Sequence, residues 1–188
     1  MAAGDIVPIE LGLPEGDVTT LWAPSWREDN DDWEAFLGLG DELYAFDSTA
    51  ELLALVRSGA EHDLQDHPSW EQFAQSDVLD FRAADENCYD LVGVLELLGE
   101  NPTESSVDEI DQSFAIARSI GEVCELSDVI KFFDGNPILA KVDVADEQRR
   151  FSLDTWRNPV PDSLDELILD DLMPIFRNLG TQVIEEEP

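Results

Sequence analysis

Residues 21–56, LWAPSWREDNDDWEAFLGLGDELYAFDSTAELLALV, carry three of the chain's five tryptophans, Trp22, Trp26 and Trp33, with Phe36, Tyr44 and Phe46 close behind. Apolar and polar residues roughly alternate through 33–37 and again through 42–46, and Gly38-Leu39-Gly40-Asp41 separates the two runs. β-prone side chains on either side of a glycine-containing loop predict a β-hairpin. Asp47-Ser48-Thr49-Ala50-Glu51 then predicts a helix start, with Ser48 as N-cap and Glu51 three residues later completing a capping box. Leu52, Leu53, Leu55 and Val56 follow at helical spacing and give that helix an apolar face to lay on the hairpin. Trp33, Phe36, Tyr44, Leu52 and Leu55 are expected to be largely buried. The unit is a sheet with a docked helix, and nothing in it has the composition of a catalytic site.

Upstream, residues 5–11 (DIVPIEL) read as a first strand, placed at a sheet edge by Pro8. Residues 14–17 have turn chemistry, 18–22 continue as a second strand, Pro24 breaks it, and 27–32 (REDNDD) form a polar turn. Downstream, Ser58-Gly59 ends the helix. His62 and His67 flank Asp63 and Asp66 in HDLQDH, donors that could hold a metal, but the spacing matches no metal motif and the histidines read as structural. His67-Pro68-Ser69-Trp70-Glu71 starts a helix with Trp70 and Phe73 inward. Residues 76–85 form a charged connection with an apolar patch at Val78-Leu79, and 87–94 (NCYDLVGV) supply the last strand of the sheet.

Polar, proline-containing 101–106 separates a strand-rich part from a helix-rich one. Beyond it Val107, Ile110, Phe114, Ala117, Ile120 and Val123 recur at three- and four-residue intervals and predict an amphipathic helix of about four turns. Ser127 is placed to cap a second helix through Val129, Ile130 and Phe133. Residues 138–144 (ILAKVDV) read as a strand. Arg149, Arg150 and Arg157 beside Phe151 and Trp156 form a local basic exception, expected to pair with the chain's own carboxylates. Leu164, Leu167, Ile168, Leu172, Ile175, Phe176 and Leu179 stripe a last helix, kinked at Pro174. The expected fold class is therefore α+β, a mostly antiparallel sheet with helices on one face followed by a helix-rich C-terminal part. The expected divisions are a strand-rich part over 1–100, the helix-rich part over 101–180 and an acidic tail over 181–188.

Charge narrows the function. Ten Lys and Arg against 44 Asp and Glu leave a net charge of −34 in 188 residues. Such a surface repels phosphate backbones and anionic membranes, so direct nucleic-acid or membrane binding is not expected, whereas a basic protein partner suits it. Cys88 and Cys124 lie far apart, belong to no CxxC pattern and read as ordinary core thiols of a reducing cytoplasm. No phosphate loop, dinucleotide fingerprint, GxSxG or HExxH is present. With 44 carboxylates, the proximity of any two carries no catalytic information. The expectation is a non-enzymatic protein with no cofactor and no metal.

Five stretches resemble a known family: 7–13 (VPIELGL), 20–38 (TLWAPSWREDNDDWEAFLG), 62–70 (HDLQDHPSW), 89–94 (YDLVGV) and 119–126 (SIGEVCEL). They are similar to actinobacterial acidic proteins often labelled "primosomal protein", a group that includes SatS-type protein-export chaperones. The primosome label sits badly with the charge. The resemblance implies a cytoplasmic chaperone that protects selected proteins and supports their export, with client protection associated with a C-terminal domain. On this reading the chain corresponds to the N-terminal part of its longer relatives.

Two binding functions follow. A chaperone or export adaptor would present a surface apolar in the middle and acidic at the rim, and Trp22, Trp26, Phe114 and Phe176 are its candidate partner-binding residues. A DNA mimic would instead set carboxylates in rows, at 28–34, at Asp108, Glu109 and Asp111, or at 162–171, and occupy a basic nucleic-acid-binding protein. An enzyme would need a deep pocket with converging polar groups.

Overall fold

The computed structural model describes residues 6–13, 16–28, 31–94, 97, 104–127 and 129–131. Contacts gather them into two units, one holding the described residues of 6–11 and 16–88, the other those of 12–13 and 89–131. The architecture is α+β, with an antiparallel-dominated sheet and helices. Strands β1 (Val7–Leu13), β2 (Gly16–Glu28), β3 (Asp31–Phe36), β4 (Gly38–Leu39), β5 (Glu42–Leu43) and β6 (Cys88–Asp90) fall into a four-stranded sheet of order β3-β2-β1-β6 and a two-stranded β4-β5 ladder. The expected strand at 138–144, the arginines of 145–158, the last helix and the acidic tail lie outside the described residues.

In the first unit β2 runs through Pro24 rather than stopping there. Ala23 opposes Ala35 and Trp26 opposes Trp33, so Pro24 and Ser25 together face Glu34 alone. That extra residue makes a β-bulge, one of the places where a sheet accommodates proline, and the strand continues to Glu28 opposite Asp31. The expected polar turn is correspondingly narrower, since Arg27 and Asp32 already face each other as strand residues.

The expected hairpin forms, with a different division of partners. Strand β3 pairs with β2, and only at Leu37 does the chain turn to its own downstream run. Leu37 N–H donates to the Leu21 carbonyl at 2.9 Å while its own carbonyl accepts from Tyr44 at 2.7 Å. Gly38 then faces Leu43 and Leu39 faces Glu42, around Gly40 with φ 65°. A side chain at Gly38 would run into the Glu42 carbonyl oxygen, so only glycine lets the two backbones close. The second run ends as a bridge to β2: Thr19 and Phe46 exchange N–H···O bonds of 2.7 and 2.9 Å, and the buried Thr20 hydroxyl donates to the Tyr44 carbonyl at 2.6 Å.

Proline 8 stands in β1, which the sheet order places between β2 and β6 rather than at an edge. The reconciliation is length. β6 has three residues against seven in β1 and meets its far end, where Leu91 N–H donates to the Gly12 carbonyl at 3.1 Å.

Helix α1 (Thr49–Ser58) starts as its sequence dictates. Ser48 is the N-cap, its hydroxyl oxygen accepts from Glu51 N–H, and Gly59 closes the helix at φ 72°. Leu52, Leu53, Leu55 and Val56 pack with Leu21, Ala23, Ala35, Leu37 and Phe46 from the sheet and with Leu64 and Phe81 from the following turns. A 3-10 turn at Asp63–Asp66 leads to the short helix α2 (Trp70–Ala74), whose Trp70 and Phe73 pack against this core as expected.

The second unit is built around helix α3 (Glu104–Val123). Ile110, Phe114, Ile116, Ala117 and Ile120 are buried, and so are Ser106 and Ser113, a wider arc than the expected stripe. Its end is a Schellman arrangement. Leu126 N–H donates to Gly121 O at 2.8 Å and Glu125 N–H to Glu122 O at 3.4 Å, with Glu125 left-handed at φ 54°. A following helical segment begins after Leu126, whose carbonyl accepts from Ile130 N–H at 2.9 Å, one residue ahead of the expected cap at Ser127.

Candidate protein-binding surface

Of the four candidate partner residues, Trp22 is half-buried and held from two sides. Its indole N–H donates to Glu34 Oε1 at 2.8 Å, and its ring stacks on Phe36 at 5.9 Å between centroids and 10° between planes. Trp26 lies in β2 opposite Trp33, and its side chain is outside the described set. Phe114 is 6% exposed in α3. Phe176 lies outside the described residues.

The exposed apolar groups are others. Trp33, expected in the core, is 52% exposed. It shares a strand face with Ala35 and Leu37, both buried, but stands beside the bulge at the end where the core face is no longer covered. Leu39 is exposed at the β4–β5 turn, next to exposed Asp41 and Glu42. Val78 and Leu79, 44% and 65% exposed, stand between exposed Asp77 and Asp80 on a single 3-10 turn. In the second unit Val92 is exposed beside exposed Asp90. Apolar groups bordered by carboxylates thus recur. The signal in sequence was the apolar patch at Val78-Leu79; nothing in the alternation around Trp33 could mark where the core stops.

The histidines are interior. His62 and His67 are 4% and 2% exposed, and His62 sits edge-on to Trp70 at 4.2 Å between ring centroids. His67 Nδ1 accepts from Ser69 N–H at 3.1 Å, and Asp63 Oδ2 accepts from Gly40 N–H at 2.8 Å, tying the β4–β5 turn to the segment. Burial pushes His62 below the ordinary imidazole value, against the upward pull of Asp63. Cys124 is buried as expected, but Cys88 is exposed. Partial desolvation, then the carboxylates of Glu10, Asp85 and Asp17, push its thiol up, and the thiol donates to the Ala84 carbonyl at 3.4 Å. A thiol held protonated in this way is a poor nucleophile.

The family model of the SatS C-terminal domain matches residues 6–165. The chain belongs to this SatS family. The matched domain is the C-terminal one, in place of the N-terminal part that the resemblance implied. A solved structure, the crystal structure of the SatS C-terminal domain in complex with bromine, aligns with a TM-score of 0.61 at 18% identity, covering 90% of this chain and 98% of that one. At that identity the likeness concerns the fold. Among curated proteins nothing matches.

In this SatS-family chain the five resembling stretches have structural work. Residues 20–38 build the bulged β2–β3 pair, and 62–70 hold the buried histidines. Residues 7–13 and 89–94 meet where Asp90 Oδ1 accepts from Val92 and Gly93 N–H at 3.1 and 2.8 Å and where a side chain on Gly12 would press on Asp90 Cα at 3.2 Å. Residues 119–126 form the end of α3.

Proposed function

We propose that the chain is a non-enzymatic protein-binding protein, a cytoplasmic chaperone or adaptor that holds other proteins for export. The observation that carries this reading is membership of the SatS C-terminal domain family, because client protection is the role the resemblance associates with that domain. The surface supports it. Exposed Trp33, Leu39, Val78 and Leu79 offer apolar contact on the first unit, and a net charge of −34 steers basic segments toward it. Apolar contact supplies lasting affinity, while the carboxylates speed encounter and keep loaded chains apart.

The test is suppression of client aggregation, followed by light scattering as a denatured basic protein is diluted into the full chain at low and at high salt. A chaperone slows aggregation at both, with slower capture at high salt. A DNA mimic would instead form a complex with a folded nucleic-acid-binding protein that salt dissolves, leaving denatured clients to aggregate. Aggregation unchanged at roughly tenfold molar excess and low salt would sink the chaperone reading.

A further inference from the structure

We propose that the turn carrying Val78 and Leu79 is a docking point for chain segments in which Lys or Arg stands next to apolar residues. The assignment deepens the chaperone reading and rests on it.

Leu79 is the most exposed large apolar side chain among the described residues, with Val78 beside it. Neither is loose. Asp77 and Asp80 form a reciprocal capping box, each side chain accepting from the other's backbone N–H, with Asp77 N–H reaching Asp80 Oδ2 at 3.0 Å. The next residue, Phe81, is fully buried and packs on Phe73 at 4.8 Å between ring centroids. A turn pinned at both ends therefore holds two apolar side chains out in water. Its ordering entropy is already spent on folding, so binding a partner there loses little more.

Charge selects the partner. The carboxylates of Asp77 and Asp80 border the apolar pair, and Arg82 follows it. A segment with its cation at Asp77 and Asp80 and its apolar residues on Val78 and Leu79 satisfies both features. An acidic or purely polar segment satisfies neither.

The experiment uses the full chain and a dye-labelled synthetic peptide of lysines followed by leucines and alanines, with binding read by fluorescence anisotropy. A matched peptide carries glutamates in place of the lysines. The double variant Val78→Ser/Leu79→Ser, on an exposed turn, should melt like the wild type and weaken binding of the lysine peptide at least about tenfold. Asp77→Asn/Asp80→Asn keeps the capping acceptors and should weaken binding of the lysine peptide at low salt while leaving the salt dependence contributed by the rest of the −34 charge. The glutamate peptide should bind no better than background. If the wild type suppresses client aggregation but the serine variant binds the lysine peptide within about twofold of it, the docking assignment is overturned and the chaperone reading stands. If the wild type neither suppresses aggregation nor binds the peptide, both fall.

Discussion

Glu125 occupies a backbone conformation that suits glycine. At φ 54° it closes the Schellman arrangement of α3, and its carboxylate stands at the negative end of the helix dipole. Left-handed backbone costs a non-glycine residue roughly 1–2 kcal/mol, so Glu125→Gly is expected to stabilise the protein by about 1 kcal/mol, read as a higher denaturant midpoint. A midpoint that falls would show that the conformation is not the one described. His62 makes a second prediction. Its pKa in the folded chain lies below the ordinary 6.5 because burial outweighs the attraction of Asp63. The unfolded chain therefore binds the proton first, and the stability due to neutral His62 is whole above 6.5 and lost as pH falls from there toward the folded pKa. Thermal melts from about pH 7.5 to about pH 5.5 should show the wild type losing stability more steeply than His62→Leu. Equal slopes would assign the loss to other groups. In sequence, His62 could be read as structural from its setting, whereas nothing marked Glu125, because a cap without glycine carries no signature.

The elements divide by whether their signals are local. Helix α1 was legible to the residue, since Ser48, Glu51 and Gly59 act within one turn of where they stand. The hairpin was legible at its tip, where Gly40 supplies the turn, but the partner of β3 was not, because β2 lies beyond the range of a turn signal. Pro24 misled for the same reason: proline ends a strand unless a bulge absorbs it, and a bulge is a property of the pair. The junction after α3 gives the prediction at this scale. A methyl group on Gly121 would meet Val129 Cγ1 at 2.6 Å and Cβ at 3.1 Å, and Val129 is fully buried and stiff at χ1. Gly121→Ala should gain about 1 kcal/mol of helix propensity and lose about 1–3 kcal/mol to overpacking, a net destabilisation seen as a lower melting temperature. A melting temperature that rises would show that the following segment does not press on α3.

At the scale of the molecule, the imbalance of 44 acidic to 10 basic residues makes self-repulsion a standing cost of the compact state. Added salt shortens the Debye length to about 8 Å at physiological strength and less above it, so the melting temperature should climb as sodium chloride is raised from low concentration. A fall would mean that ion pairs such as the exposed Arg118–Glu122 contact, 2.8 Å long, outweigh the repulsion. The charge, the α+β class, the capped helix and the position of α3 were determined by the sequence alone, because composition and short-range periodicity act without reference to distant residues. Tertiary structure decided which strands pair, where Pro24 could be housed, and that Trp33 is exposed while Phe114 is not. Those outcomes depend on how far a neighbouring element reaches across a face. A tryptophan reads the same in sequence whether the core covers it or stops one residue short.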